Sequence, residues 1–166
     1  MVAIQILDKM LAPLRRRIRL MINRAVINLV NDGQGLQELQ LTLLAGEEAD
    51  GVERIQEYGF TSAPKVGAEA VALAVAGSRA HTIVIATDDR RYRVKGLASG
   101  EVALYDDQGQ VIKLARDGIR IVAPNGLHID GDVTVTGDLI ASDISLVNHT
   151  HGGIEPGGGS TGTPNP

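Results

Sequence analysis

Gly118-Ile-Arg-Ile-Val-Ala-Pro-Asn-Gly-Leu-His-Ile-Asp-Gly-Asp-Val-Thr-Val-Thr-Gly137 is the stretch on which the fold turns. Glycines punctuate very short runs, and Asp117-Gly118, Asn125-Gly126 and Asp130-Gly131 are turn dipeptides. Between them apolar and polar residues alternate. Ile119 and Ile121 flank Arg120, Leu127 and Ile129 flank His128, and Val133 and Val135 flank Thr134. Alternation sends one set to one face and the other set to the opposite face. Strands this short cannot bury enough apolar surface to stand alone. Their spacing is too irregular for a single-chain hexapeptide β-helix, and residues 97–147 are too few for a free-standing solenoid. The missing core must therefore come from other chains. Three copies wound about one axis would bury the inward Val, Ile and Leu against each other and pair the strand edges between chains.

Upstream, residues 24–96 predict a small antiparallel β domain. Candidate strands are Ala25–Val30, Leu36–Leu44, Val52–Tyr58, Ala68–Ala76, Thr82–Thr87 and Tyr92–Lys95. Asn31-Asp32-Gly33, Glu48-Ala49-Asp50-Gly51, Ala63-Pro64, Gly77-Ser78 and Asp88-Asp89 read as the turns between them. Five or six short strands suggest a closed barrel of the oligonucleotide/oligosaccharide-binding (OB) type, a fold that does not by itself fix a function. The acidic run Glu47 to Asp50 reads as a solvated loop. Residues 3–23 predict an amphipathic helix, because Ile4, Leu7, Leu11, Leu14, Ile18 and Met21 recur at spacings of three and four. Pro13 lacks an amide donor and is expected to kink or restart it. Its arginines form a basic face that is either solvated or docked on an acidic partner.

Composition narrows the function classes. The chain has 166 residues, 43% of them apolar but only 2% aromatic, so the core must be aliphatic. Without cysteine there is no disulfide framework, thiolate zinc site or iron–sulfur cluster. No apolar run approaches the roughly 20 residues of a membrane-spanning helix. Gln5, Asp8 and Lys9 interrupt what would be a signal peptide, which predicts a chain first held in a cytoplasm. So few aromatic rings argue against binding single strands by base stacking. The net charge of −4 divides into +5 over residues 1–24 and −9 over the rest. Beyond Arg120 there is no Lys or Arg, only Asp130, Asp132, Asp138, Asp143 and Glu155. Such a pole is unsuited to anionic phosphate.

One group of residues carries chemistry. His149-Thr150-His151 stands where the short strands give way to a Gly/Pro-rich tail over 152–166. Two imidazoles from one chain make an incomplete metal site, since a closed zinc site needs four ligands. Three copies on a threefold axis would supply six nitrogens, an octahedral set that favours iron or nickel. Fully ligated, such an ion is structural. The plain alternative is an accidental pair of exposed histidines beside a loose tail. If Ile144 and Leu146 face inward, strict alternation turns His149 and His151 outward, and only a bulge or turn near Leu146–Val147 returns them. His81 and His128 have no paired neighbour and read as structural or exposed. Asp106-Asp107 and Asp130-Gly131-Asp132 read as turn residues, with calcium ligation as the alternative. There is no Cys nucleophile, no Gly-X-Ser-X-Gly elbow and no phosphate loop.

Taken together, the chain resembles the central spike proteins of contractile-tailed bacteriophages, most of all the Mu-type spike, or baseplate assembly protein V, family. The most specific part is the ending Asn148-His149-Thr150-His151-Gly152-Gly153 with its Gly/Pro/Thr tail. The resemblance implies a mainly β homotrimer of four segments. These are an N-terminal amphipathic helix (1–23), an OB-fold-like domain (24–96), an intertwined triple-stranded β-helix (97–147), and a metal-binding apex with its tail (148–166). In that family the His-X-His of three chains binds one iron ion near the apex, which maps to His149 and His151. Calcium and chloride also occur in such spikes, with no residues assignable here. The resemblance further implies a structural protein of the virion, at the tail baseplate tip, assembled in the host cytoplasm. Such a spike caps the tail tube at the baseplate hub and pierces the host outer membrane on sheath contraction. It implies no enzyme activity and no nucleic-acid partner. Two other readings compete: a trimeric stalked module that recognises a cell-surface glycan or protein, and a small cell-wall hydrolase on a trimeric stem.

Overall fold

The computed structural model describes residues 2–151, 153 and 157. They form two compact units, Met1–Pro124 and Asn125–Pro166.

The first unit opens with helix α1 (Val2–Leu20). It runs through Pro13 as one element and does not restart there. It ends at Leu20, short of the expected residue 23, because the Asn23 side-chain amide donates to the Leu20 carbonyl (2.8 Å) and Ile22 already begins a strand. Capping an orphan carbonyl in this way closes the helix and opens the sheet.

Strands β1 (Ile22–Asn31), β2 (Gln37–Thr42), β3 (Glu48–Arg54), β4 (Glu69–Ala74) and β5 (Thr82–Asp88) close a barrel in the order β1-β2-β3-β5-β4. β4 pairs back onto β1, and β3 runs parallel to β5 while the other pairs are antiparallel. This is a closed, OB-like barrel. Ile27, Leu39, Leu41 and Val84 are its largest fully buried side chains, joined by Val52 and by Ala68, Ala70, Ala72 and Ala74. The core is aliphatic, and the alternate alanines of β4 leave the width that the branched residues opposite them fill.

One buried polar group lies at the rim. The Arg54 guanidinium donates to Gln37 Oε1 (2.9 Å), the Ser62 carbonyl (2.6 Å) and Ser62 Oγ (2.9 Å), and Gln37 Nε2 donates to Asp32 Oδ1 (2.7 Å). Burial lowers the Arg54 pKa from its ordinary value while the nearby Asp32 carboxylate opposes that shift. The network ties the long loop after β3 to the barrel, and each buried polar atom finds a partner among the described residues.

Two expectations about this domain are corrected. Glu48-Ala49-Asp50-Gly51 is not a turn, and the acidic run from Glu47 to Asp50 is not a loop, because Glu48 to Gly51 lie inside β3. Leu39 faces Val52 and Leu41 faces Ala49, so β3 carries an extra residue there, with Gly51 at φ 62°. Asp-Gly here makes a β-bulge, which needs the same left-handed glycine as a turn. Tyr92–Lys95 is not a strand. The Asp89 carbonyl accepts from the Tyr92 and Arg93 amides (both 3.1 Å), and the Asp89 carboxylate holds Arg91. Lys65 and Arg91 then flank the Tyr92 ring at 5.6 and 5.4 Å from its centroid. Local side-chain capture takes this alternating segment out of the sheet.

Beyond it, β6 (Val102–Tyr105), β7 (Val111–Ala115) and β8 (Gly118–Val122) form an antiparallel sheet. Val102 faces Leu114, which faces Ile119, and Leu104 faces Ile112, which faces Ile121. Six aliphatic side chains therefore share one face of this sheet, and all six are exposed. On the other face Lys113 pairs with Glu101 (2.8 Å).

Among its described residues the second unit holds one small hairpin, β9 (Ile140–Ala141) with β10 (Ile144–Ser145). Leu127, Ile129, Val133, Val135, Leu139 and Ile144 are all more than 45% exposed, so this unit too leaves its alternating apolar residues uncovered in a single chain. Most of the tail expected over 152–166 lies outside the described residues.

Candidate functional site

The histidine pair follows a locally determined turn. Ser142 and Asp143 link β9 to β10 with φ 49° and 67°, the two left-handed residues of a two-residue hairpin. The hairpin brings Leu139 beside Leu146, whose amide donates to the Leu139 carbonyl (2.8 Å). The chain then turns over Leu146–Asn148. Three groups hold this turn. Asp138 Oδ1 accepts from the Val147 amide (3.1 Å), Ser145 Oγ from the Asn148 amide (2.8 Å), and the Ser145 carbonyl from the His149 amide (3.1 Å). The Ser145 hydroxyl and the Val147 amide hold the Asp138 carboxyl below the ordinary carboxylate range.

The turn lies where the parity argument required one. Strict strand alternation stops at Ser145, so the positions of Ile144 and Leu146 no longer dictate where the histidines point. The two rings stand 5.0 Å apart between centroids, nearly perpendicular at 80°, and both side chains are exposed. His149 Nδ1 lies 2.9 Å from the Ser145 carbonyl and 3.1 Å from the Leu146 carbonyl. A carbonyl oxygen only accepts, so Nδ1 is the donor in these contacts. In the neutral ring the Nε2 lone pair is then free and the ring orientation is fixed, the arrangement found in metal-ligating histidines whose other nitrogen is anchored on backbone.

The donor set thus suits a metal in chemistry and orientation but not in number. Among the described residues no cluster of three or more His, Cys, Asp or Glu exists to hold an ion within one chain. The other sequence candidates join no metal-holding group among the described residues. His81 and His128 are exposed, each on a different segment. Asp106 accepts from the Gln108 and Gln110 amides (both 2.9 Å), a turn-forming role, and Asp107 pairs with Lys65. Sequence reasoning missed Asp138, Ser145 and the Ser142-Asp143 turn. Two consecutive left-handed residues usually announce themselves as Asn-Gly, and Asp138 reaches across nine positions to Val147.

Comparison with known proteins follows the same division of the chain. The family described as "Bacteriophage Mu Gp45, N-terminal" matches residues 24–91, which take in the barrel except the first two residues of β1. The "GpV Apex motif" matches residues 143–165, which begin in the hairpin turn and include both histidines. The baseplate puncturing device gp45 of Escherichia phage Mu is 42% identical over 132 residues, 80% of this chain and 67% of the relative. This chain belongs to the phage Mu gp45 family. A second relative, the Mu-like prophage FluMu protein gp45 of Haemophilus influenzae, is 39% identical over 128 residues, 77% of this chain and 70% of its own length. Within the gp45 family, then, the barrel and the histidine-bearing end are separate recognisable parts, and here they fall in separate compact units.

Proposed function

We propose that this protein is the tail-tip spike of a contractile phage tail or related injection machine. It would cap the tail tube at the baseplate, contact the hub, and pierce the host outer membrane when the sheath contracts. The observation that carries this reading is the uncovered aliphatic face of β6–β8, Val102, Leu104, Ile112, Leu114, Ile119 and Ile121. A face of this kind is not stable in water and needs a partner surface. Identical copies supply one, and three chains intertwined over 97–147 as a triple-stranded β-helix bury every such face about one axis. Membership of a family whose phage Mu relative is named a baseplate puncturing device supports the same role.

The work of such a protein is mechanical and not catalytic. A narrow shaft with an aliphatic centre and hydrogen bonds running between chains resists bending and unravelling. Chain ends fray first, so the tip needs a separate fastening. Three copies of His149 and His151 would bring six imidazole nitrogens together, an octahedral site suited to one iron ion per trimer. Bound there, the ion supplies a cross-link between three chain ends and no open coordination position. The residues that prepare it are this chain's own. Asp138 and Ser145 hold the turn, and the Ser145 and Leu146 carbonyls orient the His149 ring.

Light scattering with elemental analysis, on the native chain and on a His149→Ala/His151→Ala variant, tests both parts. The expected result is a mass of three chains with about one iron per three chains, the metal lost in the variant. A metal-free single chain would refute the trimer and the apical site together. A metal-free trimer would refute the apical site alone.

A further inference from the structure

From Gln5 to Leu20 the side chains of helix α1 are exposed except Leu11 and Leu20, which are partly buried. In its last turn Arg17 packs against Gly77. Leu7, Leu14 and Ile18 are each more than half exposed, although they belong to the most regular apolar pattern in the chain. Along the helix Ile4, Leu7, Leu11, Leu14 and Ile18 succeed one another at spacings of three, four, three and four, a run of a and d positions without interruption. A strict seven-residue repeat of this kind is the pattern of helices that pack on other helices. We infer that the N-terminal helices of three copies pack in parallel as a short coiled coil along the trimer axis, on the N-terminal side of the barrels. This inference rests on the trimeric reading above.

Three observations favour a second and third copy as the occupant of this face. The first is area. Exposed Leu7, Leu14 and Ile18 offer roughly 100 Å² each, so about 300 Å² per helix and about 900 Å² over three helices, an addition to the interface that the trimer already needs. The second is charge. In a parallel bundle each g position meets the e position of the next heptad on a neighbour. Within the helix those pairs are Ala3 with Asp8 and Met10 with Arg15, so no cation meets a cation. Arg15 is in addition paired with Asp8 of its own helix at 2.9 Å. The third is the placement of Pro13, which falls on a c position away from the seam, so its missing amide leaves the packed positions untouched. Arg16 and Arg19 fall on the outward f and b positions, where a solvated charge costs nothing.

The native chain contains no cysteine, which makes the test clean. Leu7→Cys and Leu14→Cys place single thiols in the seam, and Arg16→Cys places one on the outer face. The full-length variants are oxidised with diamide, run on a non-reducing gel, and weighed in parallel by light scattering. The expected result is covalent dimers from both seam variants at ten or more times the yield from Arg16→Cys, since a disulfide joins two of three chains. Equal or absent linking with the mass still at three chains would overturn the coiled coil and leave the trimer standing. A mass of one chain would overturn both.

Discussion

At the scale of single residues, the histidine end is held by a carboxylate that sequence alone does not single out. Asp138 accepts the Val147 amide, and its pKa is lowered by the Ser145 hydroxyl first and that amide second. A carboxyl with a lowered folded-state pKa stabilises its contacts fully above its unfolded value, near pH 3.9, and loses that contribution as pH falls through the folded value. The Leu146–Asn148 turn should therefore be insensitive to pH between about 5 and 8 and loosen only in acid, below about pH 3.9. Amide exchange at Val147 measures this. It should accelerate in acid beyond the intrinsic chemistry in the native chain and show no such step in Asp138→Asn, which keeps an acceptor but no titrating group. An identical step in both proteins would mean that another group controls the turn. Arg54 works by the same logic inside the barrel, where a buried cation is tolerated because Gln37 and Ser62 surround it with acceptors.

At the scale of elements, β3 shows how a motif with the right residues can be assigned the wrong structure. Asp50-Gly51 satisfies a left-handed backbone requirement, which a turn and a bulge share, and only the partner strand decides between them. Gly51→Ala tests the assignment. A Cβ there meets nothing within 4 Å, so the cost is conformational alone. The barrel should lose about 1 kcal/mol, read as a lower melting temperature with the fold retained, and an unchanged melting temperature would count against the bulge. The same contrast explains what was legible. β1, β2, β4 and β5 were visible because each alternates over several residues with buried side chains on one face, whereas of β3 only Val52–Arg54 was, inside an expected strand Val52–Tyr58. Tyr92–Lys95 alternates equally well, but no partner strand covers it and Asp89 pulls its start into a turn. The His149/His151 pair was legible as a constellation. Its supports were not, because Asp138 and Ser145 act through backbone amides, which leave no trace in residue spacing.

At the scale of the whole molecule, the charge of the chain is sorted along its length. Every Lys and Arg precedes residue 121, and the exposed positions beyond it are neutral or acidic. A tip without cations gives the anionic phosphates of a membrane surface nothing to hold, whereas each added Lys near such a surface contributes about 1 kcal/mol of attraction. Thr134 is exposed between Val133 and Val135. On the proposed spike reading, Thr134→Lys in an infectious particle should leave the protein's mass in solution unchanged and slow host entry. Unaltered entry kinetics would show that the missing cations have no part in passage through the membrane.

The order of the two kinds of sheet along the chain has a consequence for biosynthesis. All five barrel strands lie before residue 89, so the barrel can close on itself while the later strands are still inside the ribosome. The uncovered strip of β6–β8 emerges afterwards, attached to a domain that can already have folded. On the three-chain reading proposed above, each new chain carries that strip until it meets others, so completion becomes a collision between molecules whose rate depends on how many are present. Output of finished spikes should rise more steeply than in proportion to expression. Neighbouring ribosomes on one message, which release identical chains side by side, would then be the natural place for three chains to meet.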